Sequence, residues 1–263
     1  MRDYVVAMDR ICVSSWSFHN LFASTRYRDA PIPEKDMDIL DLPEMVADRF
    51  HVHNVEVVSK HLLSTEQNYL GEFRERLRRA HCRLINIPVD IAELWDQPSI
   101  SSGDEKVRAH ALGLYLPWIG YGAELGTESV RCDPGILNLD DPSATIESYK
   151  TLVARGRTRN IEVIVENHGK SSAYPHQLVK ILKASGAGAL PDIGNFPDND
   201  TRIRGLKEMF PLAKNLCHVK YEPGVFDFDE CIGIAKESGF RSVYSIEADD
   251  VQNVIDELTR CLG

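Results

Sequence analysis

Short apolar runs alternate along this chain with longer stretches in which apolar residues recur at helical spacing. The runs fall at 10–15, 54–59, 83–88, 129–132, 162–166, 188–191, 217–220 and 243–247. Each is short, rich in Val, Ile and Leu, and bounded by turn residues, which predicts buried strands. Between them lie helical patterns. Asp41-Leu42-Pro43-Glu44 pairs a cap residue with an early proline ahead of an apolar stripe, a helix-start signal. Further helices are predicted over 65–80, 102–122, from 141 to about 157, 174–185, 201–210, 229–238 and 251–262. No fixed-period repeat, low-complexity segment or linker interrupts the alternation.

Eight strand-then-helix units in one chain of 263 residues predict an α/β fold, a single (β/α)8 TIM barrel spanning residues 1–263. The alternative, an open doubly wound sheet, normally carries a glycine-rich turn after its first strand. Here that turn is Ser14-Ser15-Trp16-Ser17-Phe18-His19, without glycine. A barrel concentrates function at the C-terminal ends of its strands, so the polar residues there carry the chemistry.

Four successive strands end in metal-ligand types. Strand five runs Ile164-Val165-Glu166-Asn167-His168 and strand six Leu190-Pro191-Asp192-Ile193-Gly194-Asn195. Strand seven is Cys217-His218-Val219-Lys220, and strand eight ends Ser245-Ile246-Glu247. A strand-end carboxylate taken singly is often the cap of the next helix, and a lone histidine is often a core residue. Glu166, Asp192, His218 and Glu247 taken together should converge on one divalent ion. Three carboxylates and one imidazole favour Mn²⁺, Mg²⁺ or Co²⁺ and admit Zn²⁺. Pleat direction adds Lys220, two residues beyond His218, as a substrate contact or an ion-pair partner of the site carboxylates. Arg131 is either an anion contact or an ion pair at the core edge. Trp16 and Trp95 are candidate pocket walls or packing residues.

Across nearly its whole length the chain resembles the xylose isomerase-like barrel superfamily, the branch of sugar phosphate isomerases and epimerases. The resemblance rests on Ser14-Ser15-Trp16-Ser17-Phe18, on Val55-Glu56-Val57-Val58 through His61-Leu62, and on Ser129-Val130-Arg131 with Asp133-Pro134-Gly135. It continues in Glu166-Asn167-His168, Asp192-Ile193-Gly194-Asn195, His218-Val219-Lys220, Gly224-Val225-Phe226-Asp227-Phe228 and Ile246-Glu247. It implies a metal held by Glu166, Asp192, His218 and Glu247, with Glu166 and Glu247 moving protons on opposite faces of the substrate. It also implies substrate contacts at His61, His168 and Asn195. The expected function is a divalent-metal-dependent isomerase or epimerase acting on a sugar, keto-sugar or cyclitol through an enediolate. The alternative is a lyase or dehydratase acting on a keto-cyclitol or 3-keto-glycoside through the same enolate. A non-catalytic sugar-binding role is a third reading. Ketose 3-epimerases usually carry histidine where Asn195 stands, and an arginine soon after strand seven, where Tyr221-Glu222-Pro223-Gly224 stands here. That constellation is therefore incomplete.

Charge and composition narrow the partners. Lys and Arg total 30 against 40 Asp and Glu, a net charge of −10. No long basic run offers a field for phosphates, and Arg155-Gly156-Arg157-Thr158-Arg159 is a short solvated helix end. Abasic-site endonucleases of the same superfamily use further histidines absent here, so no nucleic-acid partner is expected. No apolar run approaches the roughly 20 residues of a membrane span. The opening Met1-Arg2-Asp3-Tyr4 lacks the pattern of an export signal, and six scattered cysteines read as reduced thiols. These points give the expectation of a cytoplasmic protein with a small-molecule carbohydrate or cyclitol partner. The resemblance allows a homo-oligomer.

Overall fold

The computed structural model describes residues 7–263. Eight parallel strands form one sheet: β1 (Ile11–Ser14), β2 (Asn54–Glu56), β3 (Arg83–Pro88), β4 (Ser129–Arg131), β5 (Glu162–Glu166), β6 (Gly188–Leu190), β7 (Leu216–Val219) and β8 (Val243–Ile246). Pairing runs unbroken in the order β6-β5-β4-β3-β2-β1-β8-β7. The remaining seam, between β6 and β7, is joined by bridges Ala189–Ala213 and Asp192–His218. There the His218 amide donates to the Pro191 carbonyl at 2.8 Å, and the Ile193 amide to the His218 carbonyl at 3.2 Å. The result is the predicted (β/α)8 barrel. Its closure depends on residues of the candidate site itself.

The strand before the second helix is shorter than the apolar run suggested. The register shifts between Val55 and Glu56, and the chain leaves the sheet for a 3-10 turn over Ser59–His61. The outer helices are α1 (Leu42–Phe50), α2 (Gln67–Arg79), α3 (Glu105–Leu125), α4 (Ser143–Arg157), α5 (Pro175–Ser185), α6 (Asn199–Met209), α7 (Phe228–Glu237) and α8 (Val251–Leu262). A short helix, Ala92–Trp95, lies in the loop after β3. α3 continues past Gly122, where the pattern had ended it, to Gly126 with φ +77°. Gly122 is not a stop signal. A Cβ there would lie 2.9 Å from the Thr127 methyl and 3.0 Å from Val130, so glycine lets the helix approach β4 closely.

Two apolar layers result. A small cluster fills the barrel interior with Cys12, Ile85, Ile164, Leu190, Leu216 and Val243. A larger one lies between strands and helices. Two buried tyrosines cross that larger layer. Tyr149 donates to the Cys132 carbonyl at 2.7 Å and Tyr115 to the Asp133 carbonyl at 3.1 Å, fixing the chain beyond β4. All six cysteines are free thiols, four of them buried. The Arg155–Arg159 cluster lies exposed at the end of α4. No helix among the described residues is long and apolar enough to cross a membrane.

Candidate active site and metal centre

The strand-end carboxylates are not helix caps. α6 is capped by Asp198, α7 by Asp227 and α8 by Asp250, each accepting a first-turn amide, and α5 begins at a proline with no side-chain cap. Glu166, Asp192 and Glu247 are thus left for other work. Pleat alternation aims them, with His218, at one point above the interior apolar cluster. One donor atom from each of the four lies within 4.8 Å of those of the others. Asp192 and His218 are fully buried, and Glu166 and Glu247 nearly so.

The orientation of His218 comes from across the barrel. Its Nε2 faces both oxygens of Glu56 at 3.0 and 3.1 Å. Glu56 is itself fixed by Ser14 Oγ, which donates to Oε1 at 3.0 Å, and by Asn86 Nδ2, which donates to Oε2 at 3.2 Å. With Nε2–H committed to a carboxylate, Nδ1 points at the cluster: 3.3 Å from Glu166, 3.5 Å from Glu247 and 3.9 Å from Asp192. Nδ1 is buried and has no hydrogen-bond partner. A buried unpaired nitrogen among carboxylate oxygens is costly unless a cation completes it. Three carboxylates and this imidazole therefore fit a divalent cation.

The two glutamates sit in different fields. Burial would raise the Glu166 carboxyl, but Arg131 and His218 outweigh it and hold the acid well below its usual range. Glu166 Oε2 accepts from Arg131, and Oε1 accepts from Asn195 Nδ2 at 2.9 Å. Burial pushes Glu247 up to about 7, with Glu166 and Glu56 adding to it against His218 and Lys220. Burial would lower the His218 imidazole, but Glu247, Glu56 and Glu166 raise it well above normal. The His218 shift registers the negative charge around it, the condition a bound cation relieves, and the Glu247 shift registers burial.

A cavity of about 180 Å³ opens over this cluster, lined by Glu166 and Glu247 together with Arg131, His168, Asn195 and Lys220. The tryptophans Trp16 and Trp95 wall it. Lys220 Nζ lies 2.6 Å from Asp192 and 2.9 Å from the Asn195 carbonyl oxygen, so both readings of this lysine meet: it pairs with the cluster and borders the cavity. Arg131 likewise borders the cavity while paired with Glu166, with Asp90 at 2.5 Å and with Asp133 at 3.3 Å. Burial would lower His168, yet Asp133, 3.3 Å from its Nδ1, and Glu166 push it up to about 9.

His61 is the exception. It is 1% exposed and does not line the cavity. Its Nδ1 meets Ser15 Oγ and its Nε2 meets Thr25 Oγ1, each at 2.8 Å, and Phe22 stacks on it at 3.9 Å. Burial, with His19 and Lys60 nearby, lowers it to about 3, so it is a neutral packing residue behind Trp16. The structure sets it behind the cavity wall because the chain leaves the sheet at Glu56 and the 3-10 turn carries His61 inward.

Four residues beyond the sequence reading shape the site. Glu56 orients His218. Asp90 and Asp133 surround Arg131. Asn167 exchanges two hydrogen bonds with the Asp192 backbone, at 2.8 and 2.9 Å. Of these, Glu56 had a sequence signal, a lone carboxylate inside Val55-Glu56-Val57-Val58. A hollow of about 570 Å³ at the opposite end of the barrel, bordered by Glu128, Arg157, Asn160 and Lys214, holds no comparable cluster.

No protein-family model matches the chain. No curated protein matches it in sequence. Solved structures do match its fold. A xylose isomerase domain protein from Planctomyces limnophilus aligns with a TM-score of 0.70 and 15% identity over 95% of each chain. A xylose isomerase-like TIM barrel protein from Mycobacterium smegmatis, solved in complex with magnesium, aligns at 0.65 and 16% identity, over 98% of this chain and 99% of that one. A D-psicose 3-epimerase, solved in the presence of D-fructose, aligns at 0.68 and 12% identity over 96% of each. Likeness at such low identity speaks to architecture, and the chain has the fold of the xylose isomerase-like TIM barrel proteins.

Proposed function

We propose that the protein is a divalent-metal-dependent isomerase or epimerase acting on a sugar, keto-sugar or cyclitol. The observation that carries this is the cluster Glu166, Asp192, His218 and Glu247, with an unpaired imidazole nitrogen, on the floor of a small cavity between two tryptophans. These four residues would hold the ion. When bound, the ion supplies a Lewis acid for a substrate carbonyl and eases removal of the neighbouring C–H proton.

The chain's own groups divide the remaining work. Glu247 makes no hydrogen bond short enough to lock it; Lys220 Nζ is 3.7 Å away. It is the carboxylate free to take a proton from substrate carbon and return it. Glu166 is anchored at both oxygens, one by Arg131 and one by Asn195, so in an isomerisation it holds position and charge while its partner moves the proton, and in an epimerisation it would also exchange a proton on the opposite face. Lys220 and Asn195 offer N–H donors to substrate hydroxyls, and Trp16 and Trp95 limit water.

A second reading, a lyase, draws on His168. Asp133 keeps this imidazole protonated on the cavity wall, where it can donate to a departing oxygen. Incubation of the metal-loaded protein with keto-sugars, cyclitols and 3-keto-glycosides in D₂O separates the two. Deuterium uptake at carbon without elimination supports the isomerase or epimerase. Uptake with loss of water or of an alcohol supports the lyase. No uptake with any of them refutes both.

A further inference from the structure

We infer that the substrate cleft continues beyond the metal cluster into a second subsite, built from the loops after β1, β7 and β8, that takes a neutral second unit of a glycoside. This rests on the carbohydrate reading above and names the substrate class: a disaccharide or a sugar with a neutral aglycone, rather than a free monosaccharide or a sugar phosphate.

A cavity of about 450 Å³ adjoins the inner one of about 180 Å³, and the two share Trp16, Lys220 and Glu247 as common walls. Glu166 borders only the inner cavity, so a carbon that reacts between Glu166 and Glu247 must sit there. Whatever enters the larger cavity is then a part of the same ligand remote from the reacting carbon. Binding energy from such a remote part serves to orient the reacting one.

The lining suits a sugar or aryl ring. His19 stacks on Trp16, with ring centroids 4.9 Å apart and planes at 18°, and meets Tyr27 edge-on at 4.6 Å. The three rings make a continuous aromatic wall, and aromatic surface with a few fixed polar atoms is the usual make-up of a small-molecule site. His19 supplies such an atom. Its Nδ1 is 2.9 Å from the Trp16 carbonyl oxygen and must be the donor there. Its Nε2 is left buried with no partner. With Nδ1 as the donor, Nε2 is an acceptor, and a small turn of the ring would present it to a hydroxyl in the cavity. The wall is also braced in advance. Thr25 Oγ1 donates to the His19 carbonyl at 2.8 Å, Arg26 Nε to the Asn20 carbonyl at 2.9 Å, and the Tyr27 amide to Asn20 Oδ1 at 3.1 Å. A pre-ordered wall spends little conformational entropy on binding.

Charge selects the kind of unit. Glu222, Asp249 and Asp250 border this cavity, and Lys220, its cation, is already paired with Asp192. Phosphate or uronate would be repelled, and a neutral hydroxylated or aryl group is not. The hollow on the other flank, about 250 Å³ beside Trp95 and His168, is less suited. Its charged groups already face one another as ion pairs: Asp133 lies 3.3 Å from both His168 and Arg131, and Lys170 lies 3.6 Å from Asp96.

Calorimetric titration of the metal-loaded full chain tests this with D-glucose and D-fructose, with cellobiose, maltose, sucrose and phenyl β-D-glucoside, and with glucose 6-phosphate. At least one of the four glycosides is expected to bind about tenfold or more tightly than both free monosaccharides. Glucose 6-phosphate is expected to bind more weakly than glucose. Tyr27→Ala, at a side chain 55% exposed and so safe for folding, should abolish the glycoside's advantage and leave monosaccharide affinity unchanged. His19→Ala should do the same. Monosaccharides binding as tightly as every glycoside, or Tyr27→Ala weakening both alike, overturns the second subsite while the carbohydrate function stands. Binding of none of these sugars overturns the carbohydrate reading and the subsite with it.

Discussion

The two halves of the barrel end differently at the same face. From β1 to the start of β4, buried polar groups satisfy one another: Ser14 and Asn86 donate to Glu56, and Ser129 Oγ donates to Asn86 Oδ1 at 3.0 Å. In β5–β8 the corresponding groups are three carboxylates and an imidazole: Glu166 and Asp192 are held by Arg131, Asn195, Lys220 and two backbone amides, while His218 keeps Nδ1 without a partner and Lys220 stays 3.7 Å from Glu247. The halves meet across the barrel at Glu56 and His218, and at the β4–β5 border Arg131 pairs with Glu166. The lesson is that burial and strand-end position do not distinguish a support from a ligand. What distinguishes them is whether neutral donors within the protein already meet the group's needs. The first half is a hydrogen-bonded brace, and the second is a site held open by it.

Breaking the open half should have the largest effect. Glu247→Gln removes the carboxylate free to carry a proton, and turnover in the D₂O assay should fall by about 10²–10⁴ with circular dichroism unchanged. Retained turnover would falsify the proton-carrier role. Next comes the contact between the halves. Glu56→Ala should weaken metal binding, read by calorimetry, by about 10–100-fold, since the imidazole loses the group that aims it. Glu56→Gln keeps an acceptor for Nε2–H and should recover much of that loss. Equal affinity in Glu56→Ala and the parent protein would mean that the first half supports the fold and not the site.

The brace also has a pH signature of its own. His61 belongs to it and is held down to about 3 by burial, against 6.5 when exposed. Between those values the unfolded chain binds a proton that the folded chain refuses, so folding stability falls as pH drops below 6.5. Relative to His61→Gln, the parent should lose about 1–2 kcal/mol between neutrality and about pH 5, measured by urea unfolding. Parallel pH profiles would show that His61 titrates normally in the fold. The smallest effect is expected at Tyr149→Phe, which leaves the Cys132 carbonyl unpaired and should cost about 1–2 kcal/mol of stability. Metal affinity should be unchanged in that variant, because the ligands come from the other half.

Much of the molecule was legible before folding because its signals are local. Each strand announces itself by an apolar run, and the ligands by following their runs directly, as Glu166 follows Ile164-Val165. Pleat alternation also placed Lys220 beside His218, and the two do meet at the cavity and its floor. The place of His61, behind the cavity wall, has a local cause of the opposite kind. A strand that leaves the sheet three residues early looks in sequence like one that continues. Asp90 and Asp133 were hidden for another reason. Each lies in a loop, where a carboxylate is ordinarily solvated, and only the burial of Arg131 gives them work.

The sequence by itself determined the alternation of strands and helices, the barrel, and the four ligand-type residues, since all follow from periodicities a few residues long. Tertiary structure alone decided which polar groups are satisfied. Glu56 and His218 are 162 positions apart, and Asp192 stands beside His218 because the sheet closes at the β6–β7 seam. Curling eight strands until the first half faces the second turns one buried glutamate into the partner of Nε2 and leaves Nδ1 without one. That outcome depends on distances across the barrel, which no local pattern encodes.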